Sequence, residues 1–161
     1  LVKIIPNKGA YVTGISDKDT RDIYVIRSYL EGLAARWACE HISEAEIESL
    51  EEVVYLSEFH AKKKHYEQLV ELDNQFHETL YTAANSKELQ RVLTDFHHYL
   101  QRVRKATLTV EERAIASNQE HMMIVEALKE HDADKAEKLA TQHILSTAQN
   151  MERVGWDVLV S

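Results

Sequence analysis

Asp73 and His77 stand four residues apart in the run Leu72-Asp73-Asn74-Gln75-Phe76-His77. On a helix, residues at i and i+4 share one face about a turn apart, so both side chains can grip one divalent cation. His121 is followed by Met122, Met123 and Ile124, and His143 by Ile144 and Leu145. Both are therefore histidines with apolar neighbours, as a metal site inside a helical bundle requires. Three neutral imidazoles and one carboxylate suit Zn, Ni, Co, Fe or Mn, whereas all-oxygen sets suit Mg or Ca. Four such ligands could close a tetrahedral structural site. They could equally leave positions open on an octahedral ion for water or a small carboxylate, and a metal-bound water can be a nucleophile.

Other catalytic signatures are missing from the sequence. It has no His-Glu-x-x-His, no Glu-x-x-His of the di-iron type and no Gly-rich phosphate loop. Cys39, the one cysteine, has no partner for a disulfide or a Cys-based metal site, which fits a reducing cytoplasm. The remaining histidines read more simply. His60, His65, His97 and His98 have charged or polar neighbours and are expected at the solvated surface. His41 and His131 fall near predicted helix C-termini, where an imidazolium is mildly favoured.

The elements that must position these ligands are helices. The 161 residues include only four Gly and one Pro, with 44% hydrophobic and 29% charged side chains. That is one domain's length with few turn-formers, which argues for long helices. A net charge of −8 disfavours the bulk of the chain as a nucleic-acid platform. No run of 18 apolar residues and no leader pattern is present, so neither a membrane span nor a signal peptide is expected. The absence of a Met at Leu1 suggests a piece of a longer polypeptide.

Pro6, Gly9 and Gly14 fall in the first fifteen residues, which read as two short β-branched strands about a Pro6-Asn7-Lys8-Gly9 turn. A lone hairpin is marginal in water, so this one is expected to belong to a unit upstream. Everything after Ser16 reads as helix. Ile23, Ile26, Leu30, Leu33 and Trp37 recur at spacings of three and four in a first helix, and Ser43-Glu44-Ala45-Glu46 is a capping box opening a second. A third carries Leu69, Leu72, Phe76 and Leu80 with the Asp73/His77 pair. Asn85 with Glu88 reads as the cap of a fourth helix, continuous through Val103. Thr109 opens a fifth running through His121, and Asp132 caps a sixth running through His143 to a Gly155 stop. The expected fold is an all-α antiparallel bundle of about six helices over 17–161, preceded by a β-hairpin remnant over 1–16.

Several motifs, taken in order, resemble the FCD effector domain of GntR-type bacterial transcription regulators, in the FadR subfamily. They are Ile26-Arg27-x-x-Leu30-Glu31-x-x-Ala34-Ala35, Asp73-x-x-Phe76-His77-x-x-Leu80, Ala84-Asn85-Ser86-x-x-Leu89 and Glu120-His121-x-x-Ile124-x-x-Ala127-Leu128, leading on to His143. Leu1-Val2-x-x-x-Pro6-x-x-Gly9-Ala10-Tyr11-Val12 resembles the wing of that family's winged helix-turn-helix DNA reader, with Lys3 and Lys8 able to touch phosphate. The resemblance implies a divalent metal, zinc first and Ni, Mn, Fe or Co after it, on Asp73, His77, His121 and His143. It also implies a small carboxylate effector beside the metal, with Arg27, Arg102, Arg104 and Asn85 as effector-binding candidates. It further implies a cytoplasmic homodimer whose operator DNA is read by a domain mostly outside this chain. A metal-dependent helical enzyme and a purely structural metal are the competing expectations.

Overall fold

A computed structural model describes the backbone of residues 2–5, 9–12 and 16–154 and the side chains of residues 16 and 18–153 apart from 102–104 and 106. Strands β1 (Val2–Ile5) and β2 (Gly9–Val12) pair antiparallel, Val2 opposite Val12 and Ile5 opposite Gly9. The expected turn at Pro6, Asn7 and Lys8, and the side chains of Lys3 and Lys8, lie outside the described residues, as does Gly155. Seven α-helices follow among the described residues: α1 (Asp17–His41), α2 (Glu44–Lys63), α3 (Tyr66–Ala83), α4 (Lys87–Tyr99), α5 (Gln101–Leu108), α6 (Glu111–Lys129) and α7 (Ala133–Val154). None of the described helices is long and apolar enough to cross a membrane.

The helix ends show how the chain sets these boundaries. Ser43 accepts from the Glu46 amide while the Glu46 carboxylate accepts from the Ser43 amide at 2.8 Å, closing the expected capping box of α2. Ser16 and Asp19 form a second box at the start of α1. The Asp132 carboxylate accepts from the Lys135 amide at 3.0 Å, as expected at the start of α7. Two caps differ from expectation. Ser86, not Asn85, caps α4, because Asn85 takes a left-handed turn conformation at φ 53° that short polar side chains tolerate. α6 starts from Val110 without a side-chain cap, so Thr109 does not play that role.

The expected fourth helix is two. It breaks at Leu100, whose φ of −93° and ψ of 5° leave the helical region. Leu100 is fully buried with Tyr24, Ile144 and Met151 in a small cluster, so tertiary packing overrides a periodicity that runs on without interruption. The main core brings together Ala35 and Ala38 of α1, Leu50 and Val54 of α2, and Phe76 and Leu80 of α3. Ile124 and Leu128 of α6 and Ala136 and Ala140 of α7 complete it. Cys39 is buried beside this core.

α1 and α7 lie closest at Gly32. A Cβ built there would sit 2.2 Å from Thr141 Oγ1 and 3.0 Å from the Glu137 carbonyl oxygen. Arg36, one turn on, clasps Asp134 and Glu137 and ties the same two helices together. Gly32→Ala gains up to about 1 kcal/mol of helix propensity but meets overpacking that typically costs about 1–3 kcal/mol. The expected result is a lower thermal midpoint, partly restored by adding Thr141→Ala, which removes the nearest clashing atom. A rise in midpoint for Gly32→Ala alone would contradict the close packing.

Candidate functional site

Helices α3, α6 and α7 each bring a histidine to one place in the interior. Asp73 and His77 occupy successive turns of α3, and both are buried, His77 at 2% exposure. His121 of α6 and His143 of α7 are each 4% exposed. One ring nitrogen from each histidine falls within 4.8 Å of the others. His121 Nε2 lies 3.2 Å from His143 Nε2. Asp73 Oδ1 lies 3.8 Å from His77 Nε2 and also 3.8 Å from His121 Nε2. Two ligands each about 2.0–2.1 Å from a tetrahedral zinc sit ~3.3 Å apart, so this donor set fits a first-row divalent ion after small adjustments. Phe76 stacks on His121 with centroids 3.8 Å apart and planes at 8°, which fixes that ring from behind.

Two carboxylates orient the rings from outside. Glu31 of α1 lies 3.3 Å from His77 Nδ1, and Glu120 of α6 lies 2.7 Å from His143 Nδ1. An imidazole that donates from Nδ1 to a carboxylate is left with its Nε2 lone pair free to bind metal. Each glutamate is held in turn by an arginine. Arg27 donates to Glu31 through Nε at 2.9 Å and Nη2 at 2.6 Å. Arg113 donates to Glu120 through Nη1 at 3.0 Å and Nη2 at 2.5 Å. Two chains of the same chemistry, Arg27–Glu31–His77 and Arg113–Glu120–His143, thus converge on one point.

These contacts set the charge states. Burial pushes the Glu31 carboxyl up, but His77, Arg27 and Tyr81 outweigh it and hold it well below the usual range. Burial acts the same way on Glu120, where His143 and Arg113 win and bring it down to about 2. For His143, burial against charge outweighs Glu120 and lowers it to about 4, so the ring is neutral at pH 7 and ready to ligate. Tyr81, whose hydroxyl donates to Glu31, is pushed well above its ordinary value by burial.

A partly open chamber of about 330 Å³ adjoins the histidines. Arg27, Asp73, His77 and His143 form one side, and Arg113, Ser117, Thr107 and Thr147 bring polar groups to the other. Of the effector-binding residues expected from sequence, Arg27 lies here, engaged with Glu31 and Tyr81. Asn85 is exposed in the α3–α4 turn and does not line the chamber. The side chains of Arg102 and Arg104 lie outside the described residues.

Arg113 and Glu120 escaped the sequence reading. Their seven-residue spacing places them on one face of α6, but only the fold shows that this face meets His143. His97 corrects another expectation: it is 4% exposed, not solvated. Its Nε2 lies 2.8 Å from Asn74 Oδ1, and burial, then His77, lower it to about 2. The other expected surface histidines fare better, since His65 and His98 are exposed and His60 is half-buried.

An all-helical bundle that buries a metal-type donor set beside a small polar chamber belongs to the class of sensory domains in transcription regulators, and comparison with known proteins agrees. The chain belongs to the FCD domain family, whose model matches residues 22–146. It is 26% identical over 154 residues to the HTH-type transcriptional repressor RspR of Escherichia coli K12, covering 96% of this chain and 68% of that protein. It is 25% identical over 130 residues to the galactonate operon transcriptional repressor of the same organism, covering 80% of this chain and 56% of that one. Among solved structures, Escherichia coli McbR/YncC superposes with a TM-score of 0.81 at 16% identity, covering 96% of this chain and 78% of that one. Streptococcus agalactiae GntR gives 0.72 at 20% identity, covering 92% and 74%. The chain is accordingly a regulator's domain of the GntR type and not an enzyme.

Proposed function

We propose that this chain is the metal-dependent, effector-sensing domain of a bacterial DNA-binding regulator. Asp73, His77, His121 and His143 hold one divalent ion, zinc in preference to Ni, Mn, Fe or Co, and a small organic acid enters the chamber beside it. One observation carries the metal. With Nδ1 of His77 and of His143 committed to glutamates, both Nε2 atoms are acceptors, and they share the site with the Asp73 carboxylate. His121 has one Nε2 proton at most to offer a neighbour. A cation serves every acceptor at once.

In this reading, residues 1–16 are the wing of a winged-helix reader and 17–161 form the sensing domain. Two copies pair in the cytoplasm so that two readers meet two operator half-sites. The acid acts by binding one arrangement of the dimer better than another, which biases DNA affinity by that difference. The relatives' names as repressors support the DNA role.

Metal analysis of the purified protein tests the reading, followed by thermal melts with small carboxylates, with and without chelator. One ion per chain and an acid-dependent rise in melting temperature are expected. Failure to bind zinc, nickel or manganese after reconstitution would sink it. A metal that stabilises without any acid response would leave only a structural role.

A further inference from the structure

Arg113 is 5% exposed, lines the chamber, and spends its hydrogen bonds unevenly. Of the five N–H donors of a guanidinium, Glu120 takes two and Thr147 Oγ1 takes one, at 3.1 Å. Nε–H and one Nη1–H make no hydrogen bond to the described residues. Around it stand the hydroxyls of Thr107, Ser117 and Thr147, with Leu108 and Ile144 closing the apolar side. That is the lining expected for an anion with a short carbon skeleton, and its volume lies at the small end of ligand pockets.

Charge then decides when such an anion can enter. Arg27 and Arg113 stand against Glu31, Asp73 and Glu120, so with neutral imidazoles the metal-free chamber carries one net negative charge. A divalent ion reverses this to one net positive charge. In a buried, low-dielectric space an uncompensated charge is costly, so each state selects its ligand.

We propose that Arg113 is the anchor for a small monoanionic carboxylate, that this acid binds only after the metal, and that Arg113, Glu120 and His143 couple the two sites. The inference rests on the metal reading above and deepens it. The acid and Glu120 share one guanidinium, and Glu120 in turn orients His143, so filling one site alters the other. A monoanion leaves the loaded chamber neutral, whereas a dianion leaves it negative.

The test uses purified protein, zinc, acetate, L-lactate and succinate, followed by calorimetric titration and thermal melts. Zinc-loaded protein is expected to bind acetate or lactate, with the melting temperature rising by roughly 5–10 °C at a hundredfold excess over Kd. Chelated protein should show no rise, and succinate should bind on the order of tenfold more weakly. Because coupling is reciprocal, saturating acetate should tighten zinc by the same factor by which zinc tightens acetate. Arg113→Met should abolish the acid response while zinc still binds one to one. Arg113→Lys, which keeps the charge and protects the fold, should weaken acetate by about tenfold through loss of the forked geometry.

Three results would overturn the proposal: an acid response that survives both variants, equal acetate binding with and without zinc, or tighter binding of succinate than of acetate. Absence of zinc binding in the wild-type protein would instead remove the metal reading beneath it.

Discussion

Glu31→Gln is expected to lower the folding stability of the domain by about 3–5 kcal/mol, the range for breaking a buried ion pair by removing one partner. Arg27 and Glu31 are each 1% exposed, and their closest approach is 2.6 Å. Glu31 also accepts from the Tyr81 hydroxyl and lies 3.3 Å from His77 Nδ1. A glutamine there removes the counter-charge of a guanidinium that has no water to turn to, and it sets an amide donor among donors. At about 2–4 °C per kcal/mol for a domain of this size, the thermal midpoint should fall by roughly 10 °C. The double variant Arg27→Met/Glu31→Leu replaces both charges by apolar volume and should recover much of that loss, because the penalty lies in the unpaired charge. Urea denaturation of the three proteins checks this. Equal stability of the single variant and the wild type would show that the pair is not buried as described.

This pair also marks what the sequence could and could not disclose. Arg27 and Glu31 are four residues apart on one predicted helix, so their mutual contact was legible, as was that of Asp73 with His77. Spacing along one helix says nothing about which face of a second helix it meets. That Glu31 of α1 reaches His77 of α3, and Glu120 of α6 reaches His143 of α7, depends on packing between elements 46 and 23 residues apart.

The same limit explains His97. Its neighbours Phe96, His98 and Tyr99 suggest a surface, but α4 turns that position inward onto Asn74. Helix starts with serine capping boxes were readable because the cap is a local hydrogen bond. The break at Leu100 was not, because its cause is burial against Tyr24, Ile144 and Met151, far away in sequence. Arg113 shows the gap most clearly. Arginine is common on helix surfaces, and only the assembled fold turns this one into a buried wall of the chamber.

His121→Phe is expected to abolish specific metal binding with little harm to the fold. A phenyl ring occupies nearly the same space as imidazole and keeps the stack on Phe76, now 3.8 Å between centroids. What it removes is Nε2, which lies 3.2 Å from His143 Nε2 and 3.8 Å from Asp73 Oδ1. In the wild type, zinc at a thousandfold excess over its Kd should add about 4 kcal/mol of stability, since it binds the folded chain alone. The variant should gain none, so its melting curve should be the same with zinc and with chelator. Glu120→Gln provides the graded comparison. It keeps all four ligands but weakens the acceptor that orients His143, and should cost about 10–100-fold in zinc affinity. The order wild type, then Glu120→Gln, then His121→Phe follows from geometry alone, because one change loosens a ligand and the other deletes it. If zinc raised the melting temperature of His121→Phe as much as that of the wild type, the ion would be bound somewhere else, and the buried histidines would be a hydrogen-bonded core.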